Sequence, residues 1–360
     1  MNHNYRSIVH LVLFISFLFP ALTNSQNVYN GFLKEFYLDR QPSAKAIEMG
    51  RGLVAYPEYD FSSWYNPATV GLSETITAQY SSINVPNSSN NEAYFNDFNV
   101  SFNSGKYGAI GISANSLAFT EYTTLCVGEP SWKYDMHNLN YAYQPYRNFF
   151  TGINLNVLSI NTYGSSQTLY PIDIGALKIL ELPKISRMLQ KITLGSSVYN
   201  ITNVKYNKKY FDSNILQPLP VILRVDTSYN IQYFETMSPI SERIVNLLCH
   251  FEYENLLNSG LFTTYKAGVD IAFVDLIAFR LGYFTRKIED DSYPSSIQHQ
   301  VTYGIGLKFP VSKWSDGLIP INARLEFAFN EQPSLGGFYH MSDLNTFNLS
   351  IRWEKPVFNF

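Results

Sequence analysis

Toward the C-terminal end the chain alternates apolar and polar side chains with few faults. In 301–309, Val301, Tyr303, Ile305, Leu307 and Phe309 fall on one side of an extended backbone, and Thr302, Gly304, Gly306 and Lys308 on the other. In 321–329, Ile321, Ala323, Leu325, Phe327 and Phe329 oppose Asn322, Arg324, Glu326 and Ala328. Residues 347–353 set Phe347, Leu349, Ile351 and Trp353 against Asn348, Ser350 and Arg352, and 277–283 set Ile277, Phe279, Leu281 and Tyr283 against Ala278, Arg280 and Gly282. In 245–254 the apolar file Val245, Leu247, Cys249, Phe251 and Tyr253 faces Asn246, His250, Glu252 and Glu254, with Leu248 the exception. A period of two held this long predicts strands with one greasy face.

Extending the same reading backward predicts fourteen strands: 70–83, 93–104, 106–120, 131–145, 147–161, 167–176, 190–203, 218–231, 243–257, 262–274, 276–287, 298–309, 320–330 and 344–355. The joins alternate in length. Ser104-Gly105-Lys106, Gln144-Pro145-Tyr146-Arg147 and Val274-Asp275-Leu276 are tight, whereas 84–92, 121–130, 204–217, 288–297 and 331–343 are mostly longer and polar. On the tight side 177–189, 232–242 and 310–319 are not short, and the first could carry a helical turn. Short turns at one end, long loops at the other and an even strand count are the habit of bacterial membrane barrels.

Composition strengthens that picture. The chain holds 27 Tyr, 26 Phe and 4 Trp but only 15% charged residues. Its first 25 residues carry one formal charge, Arg6, then an apolar run Leu11–Leu22 and the small residues of Thr23-Asn24-Ser25. That order predicts a secretory signal peptide over 1–25 and export. No later run of 18 apolar residues exists to form a membrane helix, so an exported, aromatic-rich chain meets a membrane by closing a β-barrel. A soluble β-sandwich also alternates, but here the apolar face holds Phe, Tyr, Trp, Leu and Ile in unbroken files. The expected fold is therefore all-β: a transmembrane antiparallel β-barrel of about fourteen strands over 70–360, in the bacterial outer membrane and in contact with its lipids.

Residues 26–69 precede the first strand, and a fourteen-stranded bore lies between barrels filled by side chains and open porins. This segment is expected to fold back as a plug inside the lumen. Its end reads DFSSWYNPATVGL: Trp64 and Tyr65 supply bulk, Asn66-Pro67 turns the chain, and Ala68 permits close approach to the wall. The charges expected to face the lumen are Arg224, Asp226, Glu252, Glu254, Asp270, Arg280, Lys308, Arg324, Glu326 and Arg352. Both signs occur, so mutual pairing across the bore is the first expectation and a substrate path the second.

Other chemistry is missing. With the leader removed, 25 Lys+Arg face 29 Asp+Glu, which offers nucleic acid no general attraction. Cys126 and Cys249 form no disulfide framework, and His137, His250, His299 and His340 have no metal spacing. No GxSxG elbow, HExxH, P-loop or dinucleotide fingerprint occurs, so neither an enzyme nor a cofactor or metal site is expected.

The stretch PSAKAIEMGRGLVAYPEYDFSSWYNPATVGL (42–72) resembles the N-terminal block of the FadL-like outer-membrane barrels of Bacteroidetes, particularly the PorV/PorQ branch. The matching positions are Ser43, Ala44, Met49, Gly50, Trp64, Asn66, Pro67 and Ala68; YPIDIGALKI (170–179), AFRLGYF (278–284) and YGIGLKF (303–309) look like late-strand signatures of the family. The resemblance implies a plugged fourteen-stranded barrel. It also implies an accessory of type IX protein secretion, whose partners would be secreted cargo proteins or other secretion subunits. The alternative it leaves is a FadL-type transporter of hydrophobic small molecules such as long-chain fatty acids.

Overall fold

A computed structural model describes residues 42–56, 62–73, 75–85, 92–120, 132–162, 165–210, 213–234, 243–257, 262–290, 293–316, 318–330 and 344–353. The predicted leader and the first part of the predicted plug, 26–41, lie outside the described residues.

The strands are β1 (Thr77–Val85), β2 (Glu92–Asn103), β3 (Ala109–Thr120), β4 (Trp132–Tyr146), β5 (Phe149–Thr162), β6 (Ser165–Leu169), β7 (Ile172–Glu181), β8 (Met188–Tyr199), β9 (Lys205–Tyr210), β10 (Ser213–Pro218), β11 (Ile222–Phe234), β12 (Arg243–Leu256), β13 (Phe262–Phe273), β14 (Ile277–Asp290), β15 (Tyr293–Phe309), β16 (Ile321–Asn330) and β17 (Leu344–Trp353). Two short helices accompany them, α1 (Ala44–Glu48) and α2 (Val311–Trp314). Each barrel strand pairs antiparallel with its neighbours, and the ring closes where β1 meets β17, from Thr77 opposite Arg352 to Asn84 opposite Asn345. Closure leaves fourteen positions round the wall, with β6 and β7 sharing one and β9–β10 outside the ring.

The outside is greasy and the inside polar. On β14, Phe279 is 52% and Leu281 57% exposed, while Ala278, Arg280 and Gly282 between them are buried. The same inversion holds on β4, where Leu139 and Tyr141 are exposed and Asn138 and Asn140 buried. A soluble protein hides its apolar face, so this inversion rules out the sandwich alternative. Leu248, the break in the alternation of β12, is turned inward and buried.

Four local readings are refined. The first strand begins at Thr77 rather than residue 70, because Pro67–Leu72 forms a 3₁₀ turn capped by Asn66. The sixth strand is broken at Tyr170-Pro171: Pro171 has no N–H to donate, and its carbonyl instead accepts from Asn156 N at 3.1 Å. The segment 204–217, expected as an outer loop, contains the hairpin β9–β10. The helical turn suggested in 177–189 is absent; β7 runs on to Glu181, and a tight turn with Ser186 at φ +53° leads into β8.

Candidate functional site: the lumen and the N-terminal segment

The described parts of 42–73 are packed against the inward faces of the strands. Ala44, Ala46, Met49, Val54, Tyr65, Asn66 and Ala68 are each 0% exposed. Ser43 opens α1 with its hydroxyl accepting from Ala46 N at 3.2 Å. A helix of five residues cannot hold itself, and its support comes from the wall.

One side of the wall, from β11 to β16, is ionic. Arg280 holds Glu48 of α1 at 2.6 Å, Glu326 at 3.0 Å and Asp270 at 3.3 Å. Lys45 stands 3.9 Å from both Asp270 and Glu326 and 4.3 Å from the Tyr56 ring centre. A second cluster joins Arg224 to Glu254 at 2.5 Å and Lys266 to Glu252 and Glu254 at 2.7 and 2.8 Å. The carboxylates of this cluster also meet the segment's backbone: Ala55 N donates to Asp226 at 2.8 Å and Val54 N to Glu252 at 3.4 Å. His250 Nε2 lies 2.7 Å from the Met49 carbonyl, and Ser228 donates to the Ala55 carbonyl at 2.7 Å.

The other side, from β2 to β8, uses amides instead. Asn154 and Asn156 donate to Asp173 at 3.2 and 2.8 Å, and Asn138 donates to Asn156 at 2.7 Å. This lattice also grips the segment: Asn154 donates to the Ser63 carbonyl at 3.0 Å, Asn99 to the Ser63 hydroxyl at 3.0 Å and Asn140 to the Pro67 carbonyl at 3.2 Å. Asn66 ties the layers together. Its amide donates to the carbonyls of Val54 and Ala176, both at 3.0 Å, and its oxygen accepts from Ala68 N at 3.0 Å.

Glycines line the seat. A Cβ on Gly152 would lie 2.4 Å from the Pro67 backbone, on Gly195 2.4 Å from the Val54 carbonyl, and on Gly268 2.7 Å from the Met49 carbonyl. These come from β5, β8 and β13, so the track crosses strands that are distant in sequence. Phe95, Leu117, Tyr134, Leu158 and Leu169 of the wall and Tyr206 of the β9–β10 hairpin belong to one buried apolar cluster with Trp64 and Tyr65.

Of the charges expected in the lumen, Arg224, Asp226, Glu252, Glu254, Asp270, Arg280 and Glu326 are buried and interconnected. Lys308 and Arg324 line a cleft of about 30 Å³ with Lys45, Tyr56, Arg243 and Asp270, and Arg352 is exposed at the end of β17. Sequence reading missed the Asn lattice and the glycine seat. Their traces are the repeated Asn-Leu-Asn at 138–140 and 154–156, and single glycines recurring inside strand patterns.

No protein-family model matches the chain, and no curated protein matches it. Among solved structures it is similar to a TodX monoaromatic hydrocarbon channel mutant, with TM-score 0.45 and 10% identity, covering 86% of this chain and 97% of that one. A Pseudomonas aeruginosa FadL homologue gives 0.43 and 10% over 86% and 97%, and the Ralstonia pickettii toluene transporter TbuX 0.38 and 10% over the same shares. Likenesses this distant leave the fold resting on the strand register and any function on the chain's own side chains.

Proposed function

We propose that this protein is an outer-membrane barrel stoppered by its N-terminal segment, and that it serves protein export as a closed surface scaffold of the PorV/PorQ type. The observation that carries the closed reading is the double anchorage of the described parts of 42–73, by ion pairs on one side of the bore and amides on the other. The cleft beside α1 has room for about two waters, far less than an organic ligand needs. The export role itself leans on the resemblance of residues 42–72 to that branch. A membrane setting is supported by the apolar exterior, which no aqueous environment would reward.

A second reading, passage of a hydrophobic small molecule, is favoured by the buried apolar cluster in which Phe95, Leu117, Tyr134 and Leu158 join Trp64. Mass spectrometry of detergent-extracted protein separates the two. A co-purifying secreted protein is the expected result; a stoichiometric fatty acid or hydrocarbon without protein cargo overturns the export role in favour of transport.

A further inference from the structure

Cations and large apolar side chains are coupled at one end of the barrel. At four of the places where strands end on the short-turn side, a cation is the immediate neighbour of a bulky apolar residue: Lys106-Tyr107, Tyr146-Arg147, Lys184-Ile185 and Lys313-Trp314. All eight residues are exposed, Tyr107, Trp314 and Ile185 at 63, 62 and 55%. Within the first couple Lys106 Nζ sits 4.8 Å from the ring centre of Tyr107. Arg187, in the same turn as Lys184, is a fifth exposed cation of the rim. Among the described residues of this rim, the exposed acids are Glu181, which pairs with Arg147 at 3.3 Å, and Asp316. The rim is therefore both sticky and positive.

We infer that this rim binds the phosphates of anionic phospholipids in the adjacent leaflet, with the apolar partner of each couple inserted among the acyl chains. Two features favour lipid over an acidic protein. The couples sit at the β2–β3, β4–β5, β7–β8 and β15–β16 joins, an arc on both sides of the β1–β17 seam wider than a single docked partner needs, while at the β13–β14 turn Asp275 is neutralised by Arg243. Each also pairs a cation with an apolar residue at one level, the arrangement that anchors side chains at a bilayer interface. The inference rests on the membrane-barrel reading.

The test uses full-length protein in a neutral detergent, with native mass spectrometry after adding dioleoylphosphatidylglycerol or dioleoylphosphatidylcholine. The wild type should retain the anionic lipid at least tenfold better, and the combined variant Lys184→Gln/Arg187→Gln/Lys313→Gln should lose most of that preference. Each near-surface cation is worth about fivefold. A variant that still migrates faster unheated than boiled on SDS gels is folded, so its loss of preference reports on the rim alone. Equal retention of the two lipids by the wild type, or an unchanged preference in the folded variant, overturns the inference. So does cross-linking from Lys184 in cells that captures a single acidic protein in place of lipid. Identical unheated and boiled mobility of the wild type would instead indict the membrane-barrel reading beneath it.

Discussion

A methyl group built on Gly282 would stand 1.9 Å from the amide nitrogen of Gly50, and backbone cannot swing aside as a side chain does. Gly282→Val is therefore expected to unseat the N-terminal segment. Planar-bilayer recordings should show raised conductance from a barrel that still shifts on boiling. Gly111 is the control: its Cβ would meet Asn140 and Val70 at ordinary contact distances of 3.5–3.6 Å, so Gly111→Ala should stay sealed. Asn66 offers a second residue-scale test. Asn66→Ala removes three hydrogen bonds and leaves buried carbonyls of Val54 and Ala176 without this donor, a loss of about 2 kcal/mol or more in docking the segment. A thiol introduced by Ser63→Cys should then react faster with a water-soluble maleimide; an unchanged rate would mean that Asn66 does not hold the segment.

At the scale of elements, α1 and the wall exchange charge through Glu48 and Arg280. Each side is balanced without the other. α1 brings one cation, Lys45, and one carboxylate, Glu48, while the wall sets Arg280 and Arg324 against Asp270 and Glu326. Breaking this network from one side is the costly act: Arg280→Met takes the nearest cation from three buried carboxylates and should destabilise the barrel by about 3–5 kcal/mol. Glu48→Gln, which leaves the wall pairs intact, should cost much less. The temperature at which the compact gel band disappears ranks the two, and equal losses would show that the pairs contribute little. On the outer face of β14, Phe279→Arg puts a charge among side chains that are about half exposed. If that face meets lipid near its midplane, folding into vesicles should weaken by about 2–4 kcal/mol. A near-neutral effect would place β14 in water.

For the whole molecule, the arrangement of faces predicts how water reaches it. Leu349→Cys, on the outward face of β17, should resist aqueous maleimide in membranes, whereas Ser350→Cys on the opposite face should react once the segment is deleted. Deleting residues 26–64 should leave an inserted barrel of higher conductance; a deletion variant as tight as the wild type would refute the stopper.

Much of this architecture was legible in the chain, because strand faces are written at the shortest range there is. The period of two in Ile277–Tyr283 or Phe347–Trp353 needs no partner to be read, and the expected barrel strands lie within about five residues of the observed ones except at the start of β1 and across the β6–β7 break. Pro171 was visible in the sequence, yet a proline alone does not say whether a strand ends or merely pauses. The hairpin at 205–218 hid behind polar, lysine-rich residues that read as loop. The glycines announced close approach without naming what approaches.

The sequence by itself determined which side chains share a face, where the chain turns, and that its greasy face is too aromatic and continuous for water. Tertiary structure alone decided that β1 closes on β17, that Arg280 serves Glu48 as well as its own wall, and that Gly282 makes room for Gly50. These contacts join residues more than two hundred positions apart, and nothing local in either partner encodes the other. They exist only once the ring has closed and turned its polar face upon the segment within.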